Sequence, residues 1–131
     1  MLEPTTLRTR IYVDSDKDFV RRVIDLVNVY FPEVKRINDI HYDILEALIW
    51  AEKEKGSINS PATEVFVKEY IGKPNLTRKL YTKYRRELAK REWLMAEGDK
   101  YTLPEIFQAQ KLFDKNGLKK VLDIPIMVIR Q

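Results

Sequence analysis

The sequence predicts a mainly α fold with a small antiparallel β component. Three observations lead there: apolar residues recur at helical spacing in stretch after stretch, helix-start and helix-stop residues bracket those stretches, and the alternating or doubly apolar runs are few and short. With 131 residues and 44% hydrophobic content, the chain is expected to form a single domain with a real core, residues 1–131 together.

Leu7–Val13 alternates, with Leu7, Thr9, Ile11 and Val13 on one side, and reads as a half-buried strand. Ser15 followed by Asp18 gives a capping-box-like start to a helix that runs to about Tyr30 and stops before Pro32. Its apolar set is Phe19, Val20, Val23, Ile24, Val27, Tyr30 and Phe31, widened by Leu26 and Val29. A second helix starts near Asn38 or Asp39, packs through Ile40, Ile44, Leu45, Leu48 and Ile49, and closes at Gly56. Trp50 points off that stripe toward a second surface. Ile58 has room for no more than a residue or two of strand.

Ser60-Pro61 pairs an N-cap with a first-turn proline. The short helix it opens is expected to bury Val65, Phe66, Tyr70 and Ile71 and to end at Gly72. After a Lys73-Pro74-Asn75 turn, Asn75 is read as the cap of a helix from Leu76 to about Glu92. Trp93–Ala96 and Lys100–Leu103 flank Glu97-Gly98-Asp99 as a tight hairpin. Pro104 ends it, a helix is expected over Glu105–Asp114, and Asn116-Gly117 closes that helix. Ile124–Arg130 is apolar on both faces and, with Pro125 inside it, reads as an edge strand. Its expected partner is Leu7–Val13 of the same chain.

The charge is unevenly placed. Between Lys73 and Arg91 lie eight cations (Lys73, Arg78, Lys79, Lys83, Arg85, Arg86, Lys90 and Arg91) and one acid, Glu87, a net of +7. The whole chain carries +4, so the remainder sums to −3. Such a field asks either for a polyanion or for a solvated helix face. Solvated faces usually interleave Glu with Lys for pair stabilisation, and this one does not.

From about Asn38 to Pro104 the order helix, small strand, helix, Gly-containing turn, helix, hairpin resembles the winged helix-turn-helix family. Asp43–Ile49 stands for its first helix, Ile58 for its strand, and Pro61–Ile71, Gly72–Asn75 and Leu76–Glu92 for the helix-turn-helix proper. Trp93–Leu103 takes the place of the wing. The resemblance covers about half the chain and implies a winged-helix core over residues 38–104, with residues 1–37 and 105–131 as flanking extensions. The wing turn Glu97-Gly98-Asp99 departs from the pattern by being short and acidic.

On a helical wheel Leu76, Leu80, Tyr84 and Leu88 fall inward with Thr77 among them, and Arg78, Lys79, Thr82, Arg85, Arg86 and Ala89 fall outward. Lys83 and Lys90 flank that outer side on one edge and Tyr81 on the other. The resemblance then implies a recognition helix in the major groove of double-stranded DNA. The residues expected at the DNA are Asn75, Thr77, Arg78, Lys79, Thr82, Lys83, Arg85, Arg86 and Lys90, with Lys100 from the hairpin. The function expected is a cytoplasmic transcription or replication regulator, bacterial or viral. The alternative is a structural or assembly protein that keeps such a core for protein contacts. A homodimer is expected in the first reading, with the helix before Phe31 as its seam because it is apolar over much of its circumference.

Other chemistry finds little support. Asp14-x-Asp16-x-Asp18 superficially resembles a calcium loop but has Phe19 where that loop needs glycine. Asp25 with Glu33-Val-Lys35 is a spacing that chance supplies freely. His41, the only histidine, falls on the packed side of its helix. The four glycines stand at element ends, so no phosphate-cradling loop is formed. No catalytic residue, metal or cofactor is expected. The absence of cysteine removes disulfides and thiolate zinc sites. No apolar run approaches the roughly 18–20 residues of a membrane span, and no secretory signal is read at the N-terminus.

Overall fold

Each helix of the central region begins where a side chain can take up a free backbone N–H. Asn38 accepts from the His41 N–H, Ser60 from that of Thr63, and Thr77 from that of Leu80. In the computed structural model, which describes residues 2–10, 16–30, 37–72, 76–114, 117–118 and 121–129, these caps open α2 (Asp39–Lys55), α3 (Pro61–Ile71) and α4 (Arg78–Lys90). Before them come β1 (Leu2–Arg10) and α1 (Asp16–Tyr30). After them come the hairpin β2 (Met95–Glu97) and β3 (Lys100–Thr102), a 3-10 turn at Glu105–Phe107 and a short α5 (Ala109–Leu112). Two residue-pair strands, β4 (Phe113–Asp114) and β5 (Gly117–Leu118), and the long β6 (Val121–Ile129) finish the chain. The fold is mainly α with a small antiparallel β component, as the sequence predicts.

The core is one contiguous cluster with α2 at its centre. Ile44, Leu45, Ala47, Leu48, Ile49 and Ala51 are all buried, and α1, α3, α4 and α5 all pack against this helix. Helix α1 contributes Phe19, Val20, Val23, Ile24 and Val27, leaving Val29 exposed. Glu46 is buried too, and Tyr70 Oη donates to its carboxylate at 2.8 Å while Arg21 of α1 approaches at 3.5 Å. That carboxylate ties α1, α2 and α3 together. A second tie is the Tyr42 hydroxyl, which donates to Asp25. Trp50 meets Phe113 with ring centroids 5.3 Å apart, the second surface expected for it.

Several expectations need correction. Helix α3 buries Thr63 and Val67, and Val65 lies outward at 56% exposed. Thr63 sets this rotation: its hydroxyl donates to Ser57 O at 2.7 Å, and Val65, two residues on, is carried about 200° round the helix. Helix α4 is capped by Thr77 rather than Asn75, which lies outside the described residues. The helix finishes at Lys90, and Glu92 takes a left-handed φ of 65° so that Trp93 N–H closes on Leu88 O at 2.9 Å. The helix expected over Glu105–Asp114 is broken at Gln108, whose ψ of 148° is extended. Phe107 stacks on Trp93 and Phe113 packs on Trp50. In a straight helix those two rings would project about 240° apart, so one helix cannot seat both.

The terminal strands pair with each other. β1 and β6 form an antiparallel ribbon from Leu2↔Ile129 to Arg10↔Val121. Ile11–Val13 and Arg130 of the expected strands lie outside the described residues. Pro4 faces Met127 and Pro125 faces Thr6, positions two residues apart in β1 and so the same class of pair. Proline has no N–H to give, so both fit the pairs whose backbone groups point away from the partner strand. Each outer edge of the ribbon is therefore interrupted by a proline, which blunts it against further strand pairing.

Candidate nucleic-acid interface

Helix α4 is held by one face. Tyr81 and Leu88 are fully buried, Leu76 is buried just ahead of the cap, and Leu80, Tyr84 and Ala89 are partly buried against the core. Ala89 thus packs inward, against the outward position the wheel gave it. The opposite face presents Lys79, Lys83, Arg86 and Lys90, all exposed, at the spacing i, i+4, i+7 and i+11 of a single helical stripe. Among the described residues no acid forms an ion pair with any of the four. The only acid of α4, Glu87, is turned toward α2, where its carboxylate lies 3.5 Å from His41 Nε2.

The two arginines beside the stripe are differently placed. Arg78 is 84% exposed, with its Nε 3.6 Å from Glu64 of α3. Arg85 is half-buried, with its guanidinium 4.3 Å from the centre of the Tyr81 ring and 5.2 Å from that of Tyr101 in the hairpin. It joins helix to hairpin instead of standing free. Thr77 spends its hydroxyl on the cap, and Thr82 is half-buried at the edge of the stripe. Arg78, Lys79, Thr82, Lys83 and Arg86 border one shared surface depression. Lys100 is exposed at the start of β3, directly across from Glu97.

The hairpin itself is fixed. Asn59 accepts from the Tyr101 N–H at 2.8 Å and donates to the Tyr101 carbonyl at 2.8 Å. One side-chain amide so imitates a neighbouring strand, in the position where the sequence allowed a strand residue or two around Ile58, itself buried. Sequence reasoning missed this clamp and the Tyr81–Arg85–Tyr101 stack. The signal available was Asn59 beside the capping Ser60, but a contact with a residue 42 positions away has no local signature.

The first turn of α4 is electrostatically unusual. Helices α2 and α3 carry Asp39 and Glu64 in theirs, where acids favour the positive end of the dipole; α4 has none and opens on Arg78 and Lys79. Cations there oppose folding by a few tenths of a kcal/mol each, and an anion docked against them would relieve the cost.

His41 supports α4 from beneath. Its Nδ1 accepts the Asn38 N–H at 3.4 Å in the cap of α2, and its ring meets Tyr84 edge-on at 5.7 Å. Burial lowers its pKa below the ordinary 6.5, nearby Arg91 adds to the fall, and Glu87 opposes it. The unfolded chain therefore binds the proton more readily than the fold does. Stability should be level above about pH 6.5 and fall as pH drops below that value through the lowered folded pKa. Glu52, raised by burial, works in the opposite sense closer to the carboxylate range. Urea unfolding at about pH 7.5 and about pH 5.5 measures the fall, and His41→Gln should flatten it. Stability that holds or rises on acidification would contradict this assignment.

Among the described residues no cluster of three or more His, Asp or Glu is placed to hold a metal ion, and no helix is long and apolar enough to cross a membrane. Asp14, Glu33 and Lys35 of the motifs weighed above lie outside the described residues. Comparison with protein-family models, curated proteins and solved structures finds no match.

Proposed function

We propose that this chain binds double-stranded DNA through the outer face of α4, in the service of transcription or replication, with α2–β3 acting as a winged helix-turn-helix core. One observation carries the reading: Lys79, Lys83, Arg86 and Lys90 form an exposed stripe without acidic partners among the described residues, while the helix's one acid faces inward. Like charges three and four residues apart repel, so such a stripe is unfavourable in the free protein and is relieved by phosphates.

The expected result is steeply salt-dependent binding. Four phosphate contacts give a slope of log affinity against log salt near about −3.6, so a fourfold rise in salt should weaken binding roughly a hundredfold. Fluorescence anisotropy with a labelled duplex measures it. Binding that ignores salt would favour the second reading, a protein-contact module, for which the exposed Val65 and Met95 speak. A two-fold dimer belongs to the first reading, since it would set two α4 helices on one duplex. Among the described side chains its seam on α1 is reduced to Val29 and the partly buried Leu26, since Phe19, Val20, Val23, Ile24 and Val27 are spent in the core. Light scattering that finds a monomer both with and without duplex removes the dimer.

A further inference from the structure

We infer that α4 grips the duplex by its phosphates and discriminates little among base sequences; the inference rests on the DNA-binding reading above. Sequence is read in the major groove chiefly by side chains that fork onto base edges, and arginine on guanine is the commonest of these. Three of the four stripe residues are lysines, flexible point charges suited to phosphates rather than forks. Arg85 is withdrawn, stacked on two tyrosines with its Nε buried and without a hydrogen-bond partner. Arg78 is exposed but stands beside the stripe, about 100° round the helix from Lys79, with its Nε 3.6 Å from Glu64. Arg86 alone keeps a free fork on the stripe.

Dimensions agree. From Lys79 to Lys90 the stripe runs about 16 Å along the helix, enough to reach across a major groove about 12 Å wide and meet phosphates on both walls. The hairpin adds no reader. Its exposed tip carries Glu97 and Asp99, which phosphates repel, and both Asn59 hydrogen bonds and the Arg85 stack hold it where it is. Even were Arg86 to leave its phosphate for a base edge, one forked contact would distinguish the right base pair from a wrong one by only about ten- to a hundredfold. Sequence-specific proteins favour their sites by about a thousandfold to ten-millionfold. This chain therefore suits a role in covering or organising duplex rather than in finding one operator.

The test is selection of the full chain on a random-sequence duplex pool, with anisotropy on two unrelated duplexes of equal length and on the matching single strand. The two duplexes should bind within about tenfold of each other, with the salt slope given above, and the selected pool should show a preference at no more than one base pair. Arg86→Lys should erase that preference. Enrichment of a motif of several base pairs, with a thousandfold or greater advantage over bulk duplex, overturns the inference and leaves DNA binding standing. Equal or tighter binding of the single strand overturns the duplex assignment. Absence of salt-dependent binding to either duplex sinks the underlying reading.

Discussion

Replacing Lys83 and Arg86 together by glutamate should lower duplex affinity by about a hundredfold or more at moderate salt. Both side chains are exposed at the middle of the α4 stripe, and no ion pair joins either to another described residue. The change removes two phosphate contacts, which flattens the salt slope by about two, and puts two anions where phosphates would lie. The fold should be unaffected within about 0.5 kcal/mol, because exposed substitutions away from caps and buried networks rarely do more. Circular dichroism melts verify that the loss is one of binding. A matched control, Arg22→Glu with Lys55→Glu, takes the same charge from exposed positions on α1 and at the end of α2. If that control weakens binding as much as the α4 pair, net charge rather than the stripe is responsible. A double variant on α4 that binds like the parent chain would end the assignment of α4 to DNA.

The largest effect on stability is expected from Trp93→Ala, at about 3–5 kcal/mol. Trp93 is 2% exposed and stacks on Phe107 with ring centroids 6.0 Å apart. It is also the residue whose N–H closes the end of α4 on Leu88. That backbone bond survives the substitution, but the ring volume cannot be refilled by its neighbours without moving them. A fold of this size is held by only about 5–15 kcal/mol, so the variant would approach the edge of folding at physiological temperature. Urea unfolding gives the number, and a loss below about 1 kcal/mol would mean that Trp93 is not the anchor its burial makes it. The damage should reach the candidate site. Trp93 leads into the hairpin that carries Tyr101, and Tyr101 is one wall of the Arg85 stack. In Trp93→Phe, which keeps most of the apolar body, both stability and binding should be largely retained.

The sequence by itself determined the α1 span, the two glycine caps at Gly56 and Gly72, the Ser60-Pro61 helix start and the pairing of the first strand with the last. It also located the excess of positive charge. These are local matters: a cap is decided by one side chain and the N–H groups within three residues of it, and a strand apolar on both faces demands a partner wherever one exists. Tertiary structure decided what local rules leave open. A wheel spaces the side chains of α4 correctly but cannot fix which direction is inward. Tyr81, placed on the flank from sequence, is at the centre of the buried face, and the helix turns accordingly so that Lys79, Lys83, Arg86 and Lys90 stand outermost. The same rotation takes Arg85 out of reach and hands it to Tyr101, a residue sixteen positions along the chain. Val65 and Val67 are equally apolar, and the bond from Thr63 to Ser57 chooses between them. Asn59 looks like an ordinary turn residue until Tyr101 folds back beside it. In each case the deciding partner lies on another element or beyond a turn, and its energy exists only once the chain has closed on itself.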